Sequence, residues 1–422
     1  MESITMKYRI NWLRACTAAL FVSSVGFPGL SVALTLEQAL NLAEREAPSL
    51  AAQAANQQAT RSAAIPAGEL PDPKLRLGLQ NIPIEGESRW ELGNEPMTMQ
   101  MVGVMQEVPN RDKRRARIDA ANAAVTVADA EQAIELLQVR QQTAEAWITT
   151  LAIERKLTLF KQLYDENELL SKAVTARLAG GRGQTADSIL PKQEAVLLAD
   201  QEDLLRRNET AARAALSRWI GSAASQPLTG GWPQWEDDLA LYQLNLERHP
   251  QLLAFDPMTR QARAEIAEAV AEKTPDWGWG VDYQRRGRDF GDMVSLSVNF
   301  DLPVFAGSRQ DPIIDSERAR LAQLEAEREA VLRRYNQSLS TDLAEYQRLV
   351  QSLARLEQTL LPLAEEKVRL TMADYRAGGG ELIAVIDARQ ELVETRLRRV
   401  DLARDRSLTN ARLHFAFGDT QP

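Results

Sequence analysis

The 422-residue sequence contains a single cysteine, Cys16, and only two histidines, His249 and His414. Because Cys16 lies in an N-terminal segment that we expect to be removed, the mature chain should form no disulfide and no cysteine-based metal site. The two isolated histidines belong to no Ser-His-Asp arrangement and to no His-Glu-x-x-His motif, so a hydrolase or a zinc enzyme would lack its parts. The sequence therefore predicts a protein that is not an enzyme, has no cofactor and has no assigned metal site.

Long hydrophobic runs and a basic excess are also missing. No run of eighteen apolar residues follows residue 33, whereas a helix that crosses a bilayer needs about 20. Any membrane crossing by this chain would therefore use strands that close into a barrel. The net charge of -9 argues against nucleic acid as a partner.

Residues 1–33 have the pattern of a secretory signal peptide. Basic residues such as Arg14 precede an apolar run over 15–27, and the small residues Ser31-Val32-Ala33 follow. We expect cleavage after Ala33, which predicts a chain that leaves the cytoplasm. The residues around Cys16 are faintly similar to a lipoprotein box, but Cys16 precedes the apolar run instead of ending it, so lipidation is the less favoured alternative.

The rest of the chain is predicted to be a duplicated helix-strand-strand-helix unit. A shift of 197 residues carries Gly181 onto Gly378 and Gly221 onto Gly418. We assign the first repeat to 34–221 and the second to 239–422. The segment 222–238, rich in Gly, Pro and Trp, breaks all periodicity and is predicted to be the connector.

Each repeat ends in a predicted long helical hairpin, over 116–221 and 313–418. Ala116 to Leu178 contains no Pro and no Gly, which predicts roughly 90 Å of continuous helix. Apolar residues spaced by threes and fours predict a narrow coiled-coil seam, which in the second hairpin consists of Leu349, Leu353, Leu356 and Leu360. A plain coiled-coil rod stays an alternative for the helices alone.

A predicted helix, Leu36 to Ala64, opens the first repeat, and two strands precede each hairpin, at about 74–108 and 276–302. In these strands apolar and polar residues alternate over about the length of a tilted membrane strand. Four strands cannot close a conducting barrel, so subunits would have to combine. The alternative is a small globular β-domain in which Trp277 and Trp279 are ordinary core residues.

The whole mature chain resembles the outer-membrane efflux channels of the TolC type. The resemblance rests on the doubled plan, on Asp301 to Gly307 leading into the second long helix, and on Tyr375-Arg376-Ala377-Gly378 followed by Val385 to Arg389. The segment Met101 to Pro109 is similar to the heavy-metal branch of that family, the CzcC and CusC type. The implied fold is mainly α with a small β part.

The resemblance implies a homotrimer whose twelve strands form one barrel in outer-membrane lipid, continued by an α-barrel through the periplasm. It implies a passive duct that receives its substrate from an inner-membrane pump of the RND type. Heavy-metal cations are the first choice for that substrate. A periplasmic adaptor would dock at the helical tips. The open alternatives are multidrug or organic-solvent efflux, a type I secretion duct, and a periplasmic coiled-coil adaptor that does not enter the membrane.

The family's closed entrance uses a tyrosine before the tip glycine and carboxylates after it. In this sequence Tyr375 and Asp387 match that pattern, and Gly181 and Gly378 mark the two tips. Arg182, Gln184 and Asp187 of the first repeat could replace the missing residues. Gly380 and Ala384 stand where the family commonly has an arginine and another aspartate. Three copies of Asp387 around an axis would favour cations. A helix N-terminus also favours Asp, which is the preferred interpretation for Asp187 and an open one for Asp387.

Met97, Met99, Met101 and Met105 are predicted to share one face of a strand. Hydrophobicity alone turns this face toward lipid. Aligning Val108-Pro109 with Leu302-Pro303 instead groups Met101 and Met105 with polar residues of the second repeat, and a bulge could reconcile the two readings. We favour the lumen, where Met101 and Met105 are candidate contacts for soft metal ions.

Overall fold

The computed structural model describes residues 33–181, 184–235 and 239–418. The predicted signal peptide up to residue 32, including Cys16, and the predicted tip residue Arg182 lie outside the described residues.

The described part of the chain is mainly helical, with one small antiparallel sheet. The helices are α1 (Leu36–Glu46), α2 (Pro48–Ala64), α3 (Arg111–Ala179), α4 (Leu190–Ile220), α5 (Leu239–Asn245), α6 (Pro250–Leu253), α7 (Phe255–Ala271), α8 (Gln310–Arg355), α9 (Leu361–Ala377) and α10 (Leu382–Phe417). The strands are β1 (Lys74–Gln80), β2 (Met99–Val108), β3 (Trp277–Arg285) and β4 (Met293–Phe300). The predicted mainly α fold with four strands and long helical hairpins is confirmed.

The helix predicted over Leu36 to Ala64 is wrong as a single element, because it breaks between α1 and α2. Ala47 adopts an extended conformation with ψ 119°, and Pro48 begins α2. A proline disfavours helical geometry in the residue before it, yet it fits the first position of a new helix. The break lets α1 and α2 lie along α3 as two separate segments.

The longest helix, α3, has 69 residues and runs from the sheet to the glycine turn. Its middle packs into the main core, where Trp147 and Ile148 lie against Leu216 and Ile220 of α4. The core also takes Ala39 of α1, so the short helices and connector form a layer around the middle of the long arms. Burial of these large side chains stabilises the middle by about 1.5–3 kcal/mol each.

A polar junction fixes the start of α3 to the start of β3. The Asn110 side chain caps α3 by accepting from Lys113 N at 2.9 Å, and it donates to Ala271 O at 3.0 Å and Asp276 Oδ1 at 2.9 Å. The Asp276 carboxylate also accepts from Asn110 N at 2.7 Å and from Lys113 Nζ at 3.0 Å. These bonds lower the pKa of Asp276 in spite of its partial burial, which opposes them.

The seam prediction is wrong at Leu360, which is 48 % exposed although Leu349, Leu353 and Leu356 are buried. A π-helical turn at Leu356–Leu360 joins α8 to α9. Its wider turn holds one extra residue, and one residue of an α-helix corresponds to about 100° of rotation. The buried seam therefore resumes at Ala364 instead of continuing through Leu360.

The sheet has the strand order β1-β2-β3-β4, and each neighbouring pair is antiparallel. Cross-strand partners share a face, so one face collects Leu75, Val104, Val281 and Leu296 in one row. This apolar face is exposed at Leu75, Leu77, Leu79, Val294, Leu296, Val298 and Phe300.

Trp277 and Trp279 lie on this exposed face at 41 % and 39 % exposure, so the alternative that made them ordinary core is wrong.

Within the residues that the structure describes, no helix combines the length and apolar character that crossing a membrane requires.

Candidate functional site

A cleft of about 1250 Å³ lies where the two hairpins turn. Gly180, Asp187, Tyr375 and Gly378 line it, so the structure brings the tips of both repeats together at one end of the molecule. The positive φ angles of 70° at Gly181 and 87° at Gly378 show why glycine is needed there, because side chains with a Cβ rarely adopt that conformation. Gly378 also ends α9 by donating its N–H to Tyr375 O.

Tyr375 is the buried centre of the tip. It is 4 % exposed and packs with Leu170 and Val174 of α3 and with Val385 of α10. The Arg177 guanidinium stacks on its ring at 4.0 Å from the centroid, and Arg177 Nη1 donates to the Tyr375 carbonyl oxygen. The Tyr375 hydroxyl is buried without a hydrogen-bond partner in the described residues. Tyr375 therefore locks the first hairpin to the second mainly through its ring and backbone.

The two predicted carboxylates have different surroundings. Asp187 Oδ2 accepts from Gln184 N at 3.2 Å within a capping box, which matches the preferred cap interpretation for Asp187. Asp387 is exposed and lies beyond the first turn of α10, whose N-cap is Glu381. The helix N-terminus interpretation for Asp387 is therefore wrong, because the favourable effect of the helix dipole on an acidic residue falls off within the first turn.

Asp387 does not line the tip cleft but a neighbouring groove of about 610 Å³, between α4 and α10. Below this groove, Arg389 Nε lies 3.6 Å from Glu194 Oε1, and both side chains are less than a tenth exposed. Arg389 Nη1 donates to Glu166 O of α3 at 3.1 Å, so the arginine joins three helices. Burial raises the pKa of Glu194 although the Arg389 charge opposes the shift.

At the opposite end of α3, the second face of the sheet is polar. Met101 and Met105 lie on this face, because Met105 pairs with Gly280, which pairs with Ser297. Asn299 Nδ2 lies 3.9 Å from Met105 Sδ. The ladders of β2 run without a bulge, and Met97 lies outside β2, so the prediction that it shares the strand face is wrong.

A charged pair crosses the same polar face. Arg76 Nη1 lies 3.5 Å from Asp282 Oδ2, and the Asp282 side chain is only 8 % exposed. Gly103 lies between them in the sheet, and a Cβ there would come within 2.0 Å of Asp282 Oδ1. Gly103 therefore leaves the space that Asp282 needs to lie flat on the strands.

No group of three or more His, Cys, Asp or Glu side chains in the described ranges is arranged to hold a metal ion. The described residues thus form a polar sheet face at one end of α3 and a cleft lined by both hairpins at the other.

Sequence reasoning missed Arg177, Arg389 and Glu194. Their partners lie on helices about 200 residues away in the chain, so local spacing carries no signal for them. The repeat could have flagged Arg389, because its counterpart at a shift of 197 residues is Lys192, which would give two basic positions near the tips.

The chain has the same fold as solved outer-membrane channels. The chain superposes on the solved structure of CusC with a TM-score of 0.78 at 15 % identity, covering 92 % of each chain. Residues 241–419 match the model of the outer membrane efflux protein family, and the chain carries a domain of that family.

Two characterised relatives are similar over most of the chain. The cobalt-zinc-cadmium resistance protein CzcC of Cupriavidus metallidurans is 24 % identical, over 86 % of this chain and 85 % of its own length. The pyoverdine export outer membrane protein OpmQ of Pseudomonas putida is 20 % identical, over 91 % of this chain and 85 % of its own length.

Proposed function

We propose that this protein is the outer-membrane duct of an efflux system and that it exports heavy-metal cations as a homotrimer. Three four-stranded sheets close into one twelve-stranded barrel in outer-membrane lipid, and the helical arms continue the passage into the periplasm. An inner-membrane pump of the RND type supplies the energy, and a periplasmic adaptor docks at the helical tips.

The observation that carries the proposal is the open sheet with two unlike faces. β1 and β4 are its edges, and neither edge pairs with another described strand. In lipid an unpaired backbone edge costs several kcal/mol for each unsatisfied group, so pairing between copies is the physical remedy. The exposed apolar face suits lipid, and the face with Arg76, Asp282 and Met101 suits an aqueous lumen.

The tips support the role of a gated entrance. Tyr375 and Arg177 join the two hairpins of one subunit through a stacked pair that is separable without breaking secondary structure. Asp387 is exposed in the groove next to the tip cleft, so three copies around an axis would raise the local concentration of cations. The mechanism that follows is a duct that opens at the tips and selects cations weakly by their charge.

Two features support metal ions as the cargo. The relative CzcC is named for resistance to cobalt, zinc and cadmium. The thioethers of Met101 and Met105 on the polar face are soft ligands, which favour Cu(I) or Ag(I). Because soft and harder ions differ in the ligands they prefer, the two features point to metals of different kinds.

The cargo is tested in a deletion strain that carries the wild-type gene or a Met101→Leu/Met105→Leu variant. Leucine keeps volume and hydrophobicity but removes sulfur, so copper and silver tolerance should fall while cobalt, zinc and cadmium tolerance stays. A matched control, Val102→Leu/Val104→Leu, changes the same strand on the apolar face. Unchanged copper and silver tolerance with intact trimers would return the methionines to a structural role.

A second candidate is export of a polar organic molecule, because OpmQ is named for pyoverdine export. The polar face carries Arg76, Asp282 and Gln284, which suit a hydrogen-bonding cargo. Sensitivity of the deletion strain to dyes and detergents without sensitivity to metals, or loss of siderophore export, would favour this candidate.

A further inference from the structure

A pocket of about 620 Å³ lies beside the core layer, away from both the tips and the sheet. It is formed by α3, the connector, the π-helical turn and α10. Its volume falls within the range of small-molecule sites, about 300–1000 Å³. Neither the resemblance to efflux channels nor the proposed duct assigns it a role.

Three arginines line this pocket: Arg155 of α3, and Arg399 and Arg406 of α10. All three are half-buried. Arg399 and Arg406 are seven residues apart, about two helical turns, so they lie on one face of α10. The only acidic lining residue is Glu357, which is exposed and forms no ion pair with them in the described ranges.

Arg155 is held in place by neutral partners. Its Nη2 donates to Gly230 O at 2.9 Å, and its guanidinium stacks on the Trp232 ring at 4.3 Å from the centroid. Burial lowers the pKa of Arg155, and the nearby charge of Arg399 lowers it further. The guanidinium is therefore fixed in position but its charge is not compensated.

Arg399 and Arg406 differ from the other buried or half-buried arginines of α10. Neither forms an ion pair or a side-chain hydrogen bond in the part of the chain that the structure describes. The arginines of α10 that do contact a carboxylate within 4.0 Å are Arg389, Arg396, Arg404 and Arg412. The uncompensated charges are thus concentrated where the pocket lies.

The first repeat shows that this concentration is not a property of the shared helical plan. At a shift of 197 residues the counterparts of Arg399 and Arg406 are Glu202 and Glu209. Both glutamates form ion pairs within their own helix, Glu209 with Arg213 at 3.0 Å. The charge is reversed between the repeats, so the first repeat has acidic residues at the positions equivalent to Arg399 and Arg406.

We propose that this pocket binds a small soluble molecule that carries an oxyanion, either phosphate or carboxylate. The planar guanidinium of arginine presents donors that match both groups in a bidentate way. Arg399 and Arg406 supply N–H donors that no described residue occupies. Arg155, held by Trp232 and Gly230, supplies a positive charge at a fixed position. The oxyanion provides the negative charge that the described residues do not.

The test is calorimetric titration of the purified protein in neutral detergent with pyrophosphate and with citrate, at constant ionic strength set by sodium chloride. We expect Arg399→Gln and Arg406→Gln each to weaken binding at least tenfold. Arg399→Lys, which keeps the charge but loses the planar fork, should weaken it less. The control is Arg398→Gln, which removes an exposed arginine of the same helix outside the pocket and should leave the affinity unchanged.

A second arm distinguishes the two kinds of oxyanion. Binding of pyrophosphate without citrate, lost in Arg399→Gln, assigns the site to a phosphate ligand. Binding of citrate without pyrophosphate, lost in the same variant, assigns it to a carboxylate ligand. Both results support the pocket.

The proposal is overturned if neither anion binds the wild type, or if the glutamine variants bind as tightly as Arg398→Gln. It is also overturned if those variants lose the oligomer without any anion effect, because the arginines would then contact a second copy of the chain. None of these outcomes bears on metal tolerance or membrane assembly, so the duct proposal is tested separately.

Discussion

Replacing Asp276 by Asn should weaken the junction that joins α3 to β3. The asparagine oxygen can still accept the two bonds from Asn110, but the bond of 3.0 Å from Lys113 Nζ is lost, together with the charge. A hydrogen bond to a charged group contributes about 1.5–3 kcal/mol. Lys113 keeps Glu272 at 2.5 Å, so the loss should lie near the lower end, at about 2 kcal/mol.

The first repeat provides a matched control, because Asp72 is the counterpart of Asp276 in the Pro-Asp pairs at 71–72 and 275–276. Asp72 is exposed and forms no ion pair or side-chain hydrogen bond within the described residues. Asp72→Asn should therefore change stability by less than about 0.5 kcal/mol. The measurement is the thermal midpoint in detergent, with an expected loss of about 2–4 °C for Asp276→Asn.

The pH dependence separates the charge from mere packing. The folded pKa of Asp276 is lowered below its ordinary value of 3.8, so its contribution is present above that pH. It is lost as the pH falls from 3.8 through the folded value. The gap between wild type and Asp276→Asn should therefore be constant near neutrality and close below pH 3.8. An equal loss in Asp72→Asn, or a gap that persists in acid, would refute the charged junction.

The remaining predictions concern the sheet, the buried histidine and the tip. Leu296→Arg places a charge on the apolar face, which costs about 2–4 kcal/mol if the residue lies at the bilayer midplane, and should reduce trimer yield in the membrane fraction. The control Asn299→Arg, on the polar face, should assemble normally. Equal yields of the two variants would contradict the assignment of faces. Burial lowers the pKa of His249 from 6.5 to about 4, so stability of about 3 kcal/mol is present above pH 6.5 and is lost as the pH falls toward 4. His249→Asn keeps a capping side chain for α6 and should flatten this decline in pH-dependent unfolding; an unchanged slope would assign the decline to other groups. Because the Tyr375 hydroxyl is buried without a partner, Tyr375→Phe should be neutral or stabilising in thermal unfolding, whereas Tyr375→Leu removes the stacked ring and should raise ion conductance in planar bilayers. Conductance that rises equally in both variants would contradict a gate held by the ring.

The repeat predicted what local periodicity could not. Hydrophobicity turned Met101 and Met105 toward lipid, whereas the alignment with the second repeat grouped them with Ser297 and its neighbours, and the register of β2 agrees with the alignment. The glycine turns were visible because a positive φ angle restricts the residue type at Gly181 and Gly378. Patterns of this kind belong to one position or one strand, so the sequence carries them directly.

Other features had no local signal. Leu356 and Leu360 keep helical spacing in the sequence, yet the π-helical turn takes Leu360 out of the seam. The stacking of Arg177 on Tyr375 and the hydrogen bonds from Asn110 to Asp276 each join segments more than 160 residues apart in the chain. Such contacts depend on how the helices are placed against one another, which composition and periodicity do not specify.

The π-helical turn at Leu356–Leu360 also records how the two halves diverged after duplication. The offset between the repeats is 194 residues from Pro109 to Pro303 but 197 from Gly181 to Gly378. The second half has therefore gained three residues between its strands and its tip, although Gly180 and Gly378 still line one cleft. A π-helical turn holds a surplus residue without adding a full residue of length, and the loop before α8 has room for the others. The three additional residues are therefore accommodated without separating the tips of the two hairpins.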